Sequence, residues 1–179
     1  MPFAYYARLG KKDRATYDRS DAVASIRLPQ AAGLWPIVGV LETALRRDDK
    51  RAVQQACSLL ARGITEMLKI EPVDVGVLAV RPSLATAELH GLYTREPGKV
   101  PLIRVWMRTV RHQRVVAFRT FLRTLLHEVC HHLDYTYLRL PDSFHTQGFF
   151  QRESSLFYQL VPRETAAAAG PGPEPRAEE

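Results

Sequence analysis

Apolar residues return at helical spacing in two early stretches, from Trp35 to about Arg46 and from Arg51 to about Ile70, the second through Val53, Ala56, Leu60, Ile64, Met67 and Leu68. Val73 to Val80 is short and rich in β-branched residues, which predicts a strand. Glu88 to Thr94 and Leu102 to Thr109 flank a turn containing Pro97-Gly98 and read as a hairpin. In its second arm Ile103, Val105 and Met107 alternate with Arg104, Trp106 and Arg108, so one face is expected to pack on helices and the other to be wetter. A third helical pattern carries Phe118, Phe121, Leu122, Leu125, Leu126, Val129 and Leu133 on one half of its circumference. Pro141 and Asp142 then break the chain, and Asp142 or Ser143 can cap a last helix with the stripe Phe149, Phe150, Leu156, Phe157 and Leu160. The order helix, helix, strand, hairpin, helix, helix predicts an α+β fold, a small and mainly antiparallel sheet packed on helices, with no internal repeat.

The two ends differ from this middle. Residues 1–30 are rich in tyrosine and arginine, close on Leu28-Pro29, and are expected to form a partly extended N-terminal arm. Residues 163–179 alternate Gly with Pro and hold almost no large apolar side chain, so this tail is expected to be disordered. That leaves 31–162 as one folded domain. With 179 residues, 46% hydrophobic and 25% charged, the chain has the makings of one core. Its first residues lack the charged-then-apolar build of a secretory signal, and no apolar run approaches the ~18 residues of a membrane span. Two cysteines, Cys57 and Cys130, argue against a disulfide scaffold and for a reducing, cytoplasmic setting.

The chemistry concentrates in His127-Glu128-Val129-Cys130-His131. At about 100° per residue, His131 lies one turn along from His127 and about 40° round, so both rings can meet one ion. Glu128 projects to the flank of that face, where it can reach a water on the metal without being a ligand. The packed face lies opposite, leaving the imidazoles to open into a cleft. A catalytic zinc (Zn2+) site needs a third protein ligand and an open position. His145 is the best candidate, since two antiparallel helices joined by a short turn would return it towards the pair. Asp134, on the same face as His127, and Glu153, an acid inside the apolar stripe of the last helix, compete as ligands or as partners that orient a ligand. For Glu153 a salt bridge with a neighbouring arginine is the plainer alternative. His132 points to the packed side and reads as structural, and Cys130 as a small packing residue.

His127 to His131 followed after a spacer by His145-x-x-x-Phe149 resembles the SprT-like group of minimal zincin metallopeptidases. The specific part of the likeness spans about twenty residues around the site. It implies a minimal zincin fold, His127, His131 and His145 as zinc ligands, and Glu128 as the catalytic base. The spacer is shorter than the familiar one and no Cys-x-x-Cys zinc ribbon follows, so the likeness carries fold and reaction type rather than the DNA-repair role of some relatives.

The expected activity is hydrolysis of a protein or peptide substrate by a metal-activated water, with Glu128 as general base. Tyr135, Tyr137, Arg123 and His112 are candidates for stabilising the oxyanion. The strand directly before the metal helix, if it forms a sheet edge, offers free backbone groups to an extended peptide. A net charge of +6 and a cluster of arginines at 104, 108, 111, 114, 119 and 123 leave open DNA or an acidic partner, although a solvated face is the plainer reading. A metal-dependent ribonuclease and a non-catalytic zinc module remain alternatives.

Overall fold

The computed structural model describes residues 2–80, 91–109 and 114–161. These form an α+β arrangement of five α-helices and a three-stranded sheet. A 3-10 turn at Ala4–Arg8 precedes α1 (Lys11–Asp21). A second 3-10 turn leads into α2 (Trp35–Arg46), which is followed by α3 (Lys50–Leu68). The sheet comprises β1 (Asp74–Val80), β2 (Gly91–Thr94) and β3 (Leu102–Arg108), and α4 (Phe118–Thr136) and α5 (Gln147–Leu160) complete the fold. None of the described helices is long and apolar enough to cross a membrane.

β2 and β3 form the expected antiparallel hairpin, with Tyr93 opposite Ile103 and Gly98 supplying the positive φ of the turn. The sheet is nevertheless mixed rather than mainly antiparallel, because β1 joins the far side of β3 in parallel, Val77 opposite Val105. The order β1-β3-β2 makes β3 the central strand. Its alternation explains why: Ile103, Val105 and Met107 are buried against the helices, the densest apolar face any of the three strands offers. The opposite face is less wet than the alternation suggests, since Trp106 is only 5% exposed.

One core runs through the molecule. α3 contributes Val53, Ala56, Leu60 and Ile64, α4 contributes Phe121, Leu122, Leu125 and Val129, and α5 contributes Phe149, Leu156 and Phe157. Asp49 caps α3 through the Ala52 N–H. Phe150, placed by sequence in the stripe of α5, is instead 41% exposed and lies against Phe3.

The N-terminal segment is not simply an extended arm. Lys11–Asp21 is helical, the chain after it runs without regular structure, and Tyr17, Ile26 and Leu28 are buried. Gln159 of α5 fixes this stretch by accepting from the Leu28 N–H and donating to the Ile26 carbonyl. The tail at 163–179, together with Glu88, Arg111 and His112, lies outside the described residues.

Candidate metal centre and its cleft

α4 carries His127, Glu128 and His131 along one side, and the turn between α4 and α5 carries His145. Sequence placed the start of the last helix at Asp142 or Ser143, but the cap is Thr146, whose side chain accepts from the Phe149 N–H at 2.9 Å. Asp142 and Ser143 are engaged elsewhere. Asp142 accepts from the Ser143 N–H and from the Tyr135 hydroxyl, while Ser143 reaches back to α4. The later start leaves His145 in the turn itself, immediately ahead of the cap.

The three imidazoles converge. Nε2 of His145 lies 3.0 Å from Nε2 of His127 and 3.1 Å from Nε2 of His131. Potential ligand atoms of the three all fall within 4.8 Å of one another. The outer nitrogens of the two helical histidines reveal their tautomers. Nδ1 of His127 faces the Glu153 carboxylate at 3.2 Å, which only accepts, so Nδ1 carries a proton and Nε2 is the nitrogen turned to the other two rings. Nδ1 of His131 meets the Ser143 hydroxyl at 2.7 Å, and that hydroxyl donates to Asp134 at 2.7 Å. Ser143 must therefore accept from His131, whose Nε2 is then the nitrogen that faces the other rings. Burial and the neighbouring imidazoles push His131 down to about 3, and burial first, then His127, lowers His145. The three Nε2 atoms face one another closely enough for one ion to be bound by nitrogens alone, so this donor set fits a nitrogen-ligated metal such as zinc.

Neither carboxylate competitor stands in the ligand set. Asp134 is fully buried, pairs with the equally buried Arg152 at 2.8 Å, and acts on His131 through Ser143. Glu153 accepts from His127 and from Arg123, the latter at 3.3 Å, so the two sequence-level alternatives for this residue coexist. Cys130 is buried, and desolvation pushes its thiol well up, away from the thiolate a metal would take.

Glu128 is only 6% exposed yet lines a cleft of about 690 Å³ together with the three histidines, Tyr93 and Ser143. Burial pushes its carboxyl up to about 7, against the opposing influence of His127 and of a backbone hydrogen bond from Tyr93. The space for this side chain depends on Gly91, where a Cβ would fall 2.5 Å from Glu128 Oε1. The wall beside Glu128 is β2. Sequence considered the strand preceding the metal helix, β3, as the possible edge, but β3 is covered on both sides; among the described residues the edges are β1 and β2, and β2 is the one that borders the cleft.

Sequence reasoning also missed Tyr93, which organises this wall. His132 Nε2 can only donate to the Glu71 carbonyl at 2.9 Å, so its Nδ1 accepts the Tyr93 hydroxyl at 3.1 Å. His132 is thus structural in its contacts, and the Tyr93 hydroxyl is directed away from the cleft. The Tyr93 ring lies parallel to His131, at 6.4 Å and 20°. Of the oxyanion candidates, Tyr135 and Arg123 line the cleft, whereas Tyr137 lines a separate groove beside it. The arginine cluster is partly engaged: Arg108 pairs with Asp48, Arg123 with Glu153, and Arg119 covers the Phe157 ring.

The N-terminal segment reaches the third histidine. Tyr5 donates its hydroxyl to the His145 carbonyl at 2.8 Å, and Asp21 accepts from the Gly148 N–H at 2.8 Å. A Cβ at position 148 would fall 2.4 Å from the Asp21 carbonyl oxygen, so the close approach of α1 to α5 requires glycine there. Arg152 donates to the Ser20 and Val23 carbonyls and to the Ser20 hydroxyl while holding Asp134. Comparisons with protein-family models, curated proteins and solved structures found no match to this chain.

Proposed function

We propose that the chain is a zinc-dependent metallopeptidase of minimal zincin type, with His127, His131 and His145 as the metal ligands and Glu128 as the general base. One observation carries the reading: three imidazoles direct their nitrogens at a common point, and a buried acid whose carboxyl is pushed up to about 7 lies beside them in an open cleft. A non-catalytic zinc module needs no such acid and no opening.

Zinc bound here would supply Lewis acidity, polarising a substrate carbonyl and bringing the pKa of water near ~7. His127 and His131 would enter the ligand set already oriented, since Glu153 and Ser143 hold their outer nitrogens. Glu128 takes a proton at a carboxylate oxygen as water attacks the peptide carbonyl, then returns it to the leaving amine. β2, with Gly91, Leu92 and Tyr93 along the cleft, is an edge of the sheet among the described residues, and an extended peptide paired along it would lay a scissile bond beside Glu128.

Glu128→Gln keeps the shape of the side chain and removes the base. The variant is expected to retain one zinc per chain, measured by metal analysis, and to lose roughly 10²–10⁴-fold in peptide hydrolysis. Undiminished turnover would take Glu128 out of the reaction, and a zinc-loaded wild type that cuts no peptide would leave a structural metal site.

A further inference from the structure

A second groove of about 840 Å³ adjoins the catalytic cleft and shares Tyr93 and Tyr135 with it. Its charged lining comprises Lys69, Arg95, Lys99, Arg139, Glu71 and Glu96. Lys99 and Glu96 neutralise each other at 2.6 Å. That leaves three cations against the single carboxylate of Glu71, and none of the three has a carboxylate partner among the described residues.

Two of these cations occupy unusual backbone positions. Lys69, at the end of α3, has φ of 53°, and Arg139, just past α4, has φ of 51°. Glycine is the usual residue at such left-handed helix ends, and a side chain there costs about 1 kcal/mol. Of the three non-glycine residues with positive φ among those described, two therefore present a base to this one groove.

The groove is also joined physically to the reaction centre. The Arg95 guanidinium lies 4.2 Å over the Tyr135 ring, Tyr135 stacks on Tyr93 at 6.0 Å and 17°, and Tyr93 stacks on His131. Arg95 directly follows β2, whose first residue, Gly91, touches Glu128. At about 3.3 Å per residue, a peptide lying along β2 from Glu128 reaches Arg95 after three or four residues.

We propose that this groove is a specificity site for acidic side chains, so that the enzyme prefers peptides carrying Asp or Glu three or four residues to one side of the scissile bond. The proposal rests on the peptidase reading above. Lys69, Arg95 and Arg139 are the residues that make the selection, and the ring ladder sets its distance from the cut.

The test uses the zinc-loaded full chain and a mixture of synthetic peptides, with products identified by mass spectrometry. Cut products are expected to be enriched in Asp and Glu at those positions on one side. For a peptide pair differing only in two Glu or two Gln there, the Glu peptide is expected to have kcat/KM higher by on the order of tenfold, as for two or three exposed ion pairs. The double variant Lys69→Gly, Arg139→Gly removes charge where glycine is the relaxed residue, so its Tm should not fall. With only Arg95 left, it is expected to lose most of the preference while leaving kcat/KM for the Gln peptide unchanged, whereas Lys69→Arg with Arg139→Lys keeps the preference. Hydrolysis without acidic preference, or a preference undiminished in the glycine variant, would overturn the groove and leave the peptidase reading intact. If no peptide is cut, that reading fails by itself. Binding of a fluorescein-labelled Glu-rich peptide, by anisotropy, then decides the groove: binding lost in the glycine variant upholds an acidic-peptide site, and no binding overturns it. Tighter binding of single-stranded DNA than of the Glu-rich peptide, lost in the same variant, would assign the groove to nucleic acid and also overturn the proposal.

Discussion

His131 and His145 face the same point but are held there by different means. Behind His131 stands a buried chain of hydrogen bonds, from Nδ1 to Ser143, Ser143 to Asp134, and Asp134 to Arg152. His145 sits in a turn, and the contact on its backbone comes from Tyr5, 140 residues away in the chain. The helix histidine is fixed by the core, while the turn histidine depends on how well the N-terminal segment is docked. Arg152 joins the two regions, since its guanidinium holds Asp134 with one nitrogen and the carbonyls at the end of α1 with the other.

Removing that guanidinium is the harshest way to break the comparison. Arg152→Met leaves the Asp134 carboxylate buried without its cation, and stability is expected to fall by about 3–5 kcal/mol in urea unfolding. Adding Asp134→Leu is expected to restore most of this loss, because an apolar pair can replace a buried ion pair. Zinc affinity should remain low in the double variant, since Ser143 then has no acceptor to fix its hydroxyl. Recovery of both stability and zinc affinity would mean that the relay does not orient His131.

Ser143→Ala cuts the same chain at a milder point. Asp134 keeps Arg152, so the fold loses little, but His131 loses the acceptor that fixes its tautomer. Zinc affinity is expected to drop 10–100-fold, measured by competition with a chelator. A stability loss matching that of Arg152→Met would show instead that Ser143 serves the core.

These dependencies were unequally visible in the sequence. The histidine pair and Glu128 lie within five residues, so helical spacing alone sets them side by side, and the turn after Pro141 foretold the return of His145. The edge strand could not be read that way, because a hairpin fixes one neighbour of β3 while β1 adds from elsewhere in the chain. Ser143 looked like a cap because serine caps helices, but His131 and Asp134 compete for the same hydroxyl. α1 shows no apolar stripe, Tyr17 being the only large ring in a charged run, and its helix is held by packing and capping contacts that the local pattern does not record. Arg152 did leave a signal. It occupies the inward row with Phe149 and Leu156, the kind of misplaced charge that singled out Glu153 next to it.

Tyr5→Phe gives the gentlest and most discriminating test of the difference between the two histidines. It deletes one hydroxyl, keeps the ring among Phe3 and Tyr17, and touches neither Ser143 nor Arg152. A partly exposed hydrogen bond contributes about 0.5–1 kcal/mol, so zinc affinity is expected to weaken roughly two- to fivefold with little change in unfolding midpoint. Linkage requires the reverse effect as well: a segment that helps place a metal ligand must itself be stabilised when metal binds. Zinc should therefore slow amide exchange over residues 3–9 in the wild type, and by less in the Phe variant. Equal protection in both, at equal zinc affinity, would show that the turn holds His145 without help from the N-terminal segment.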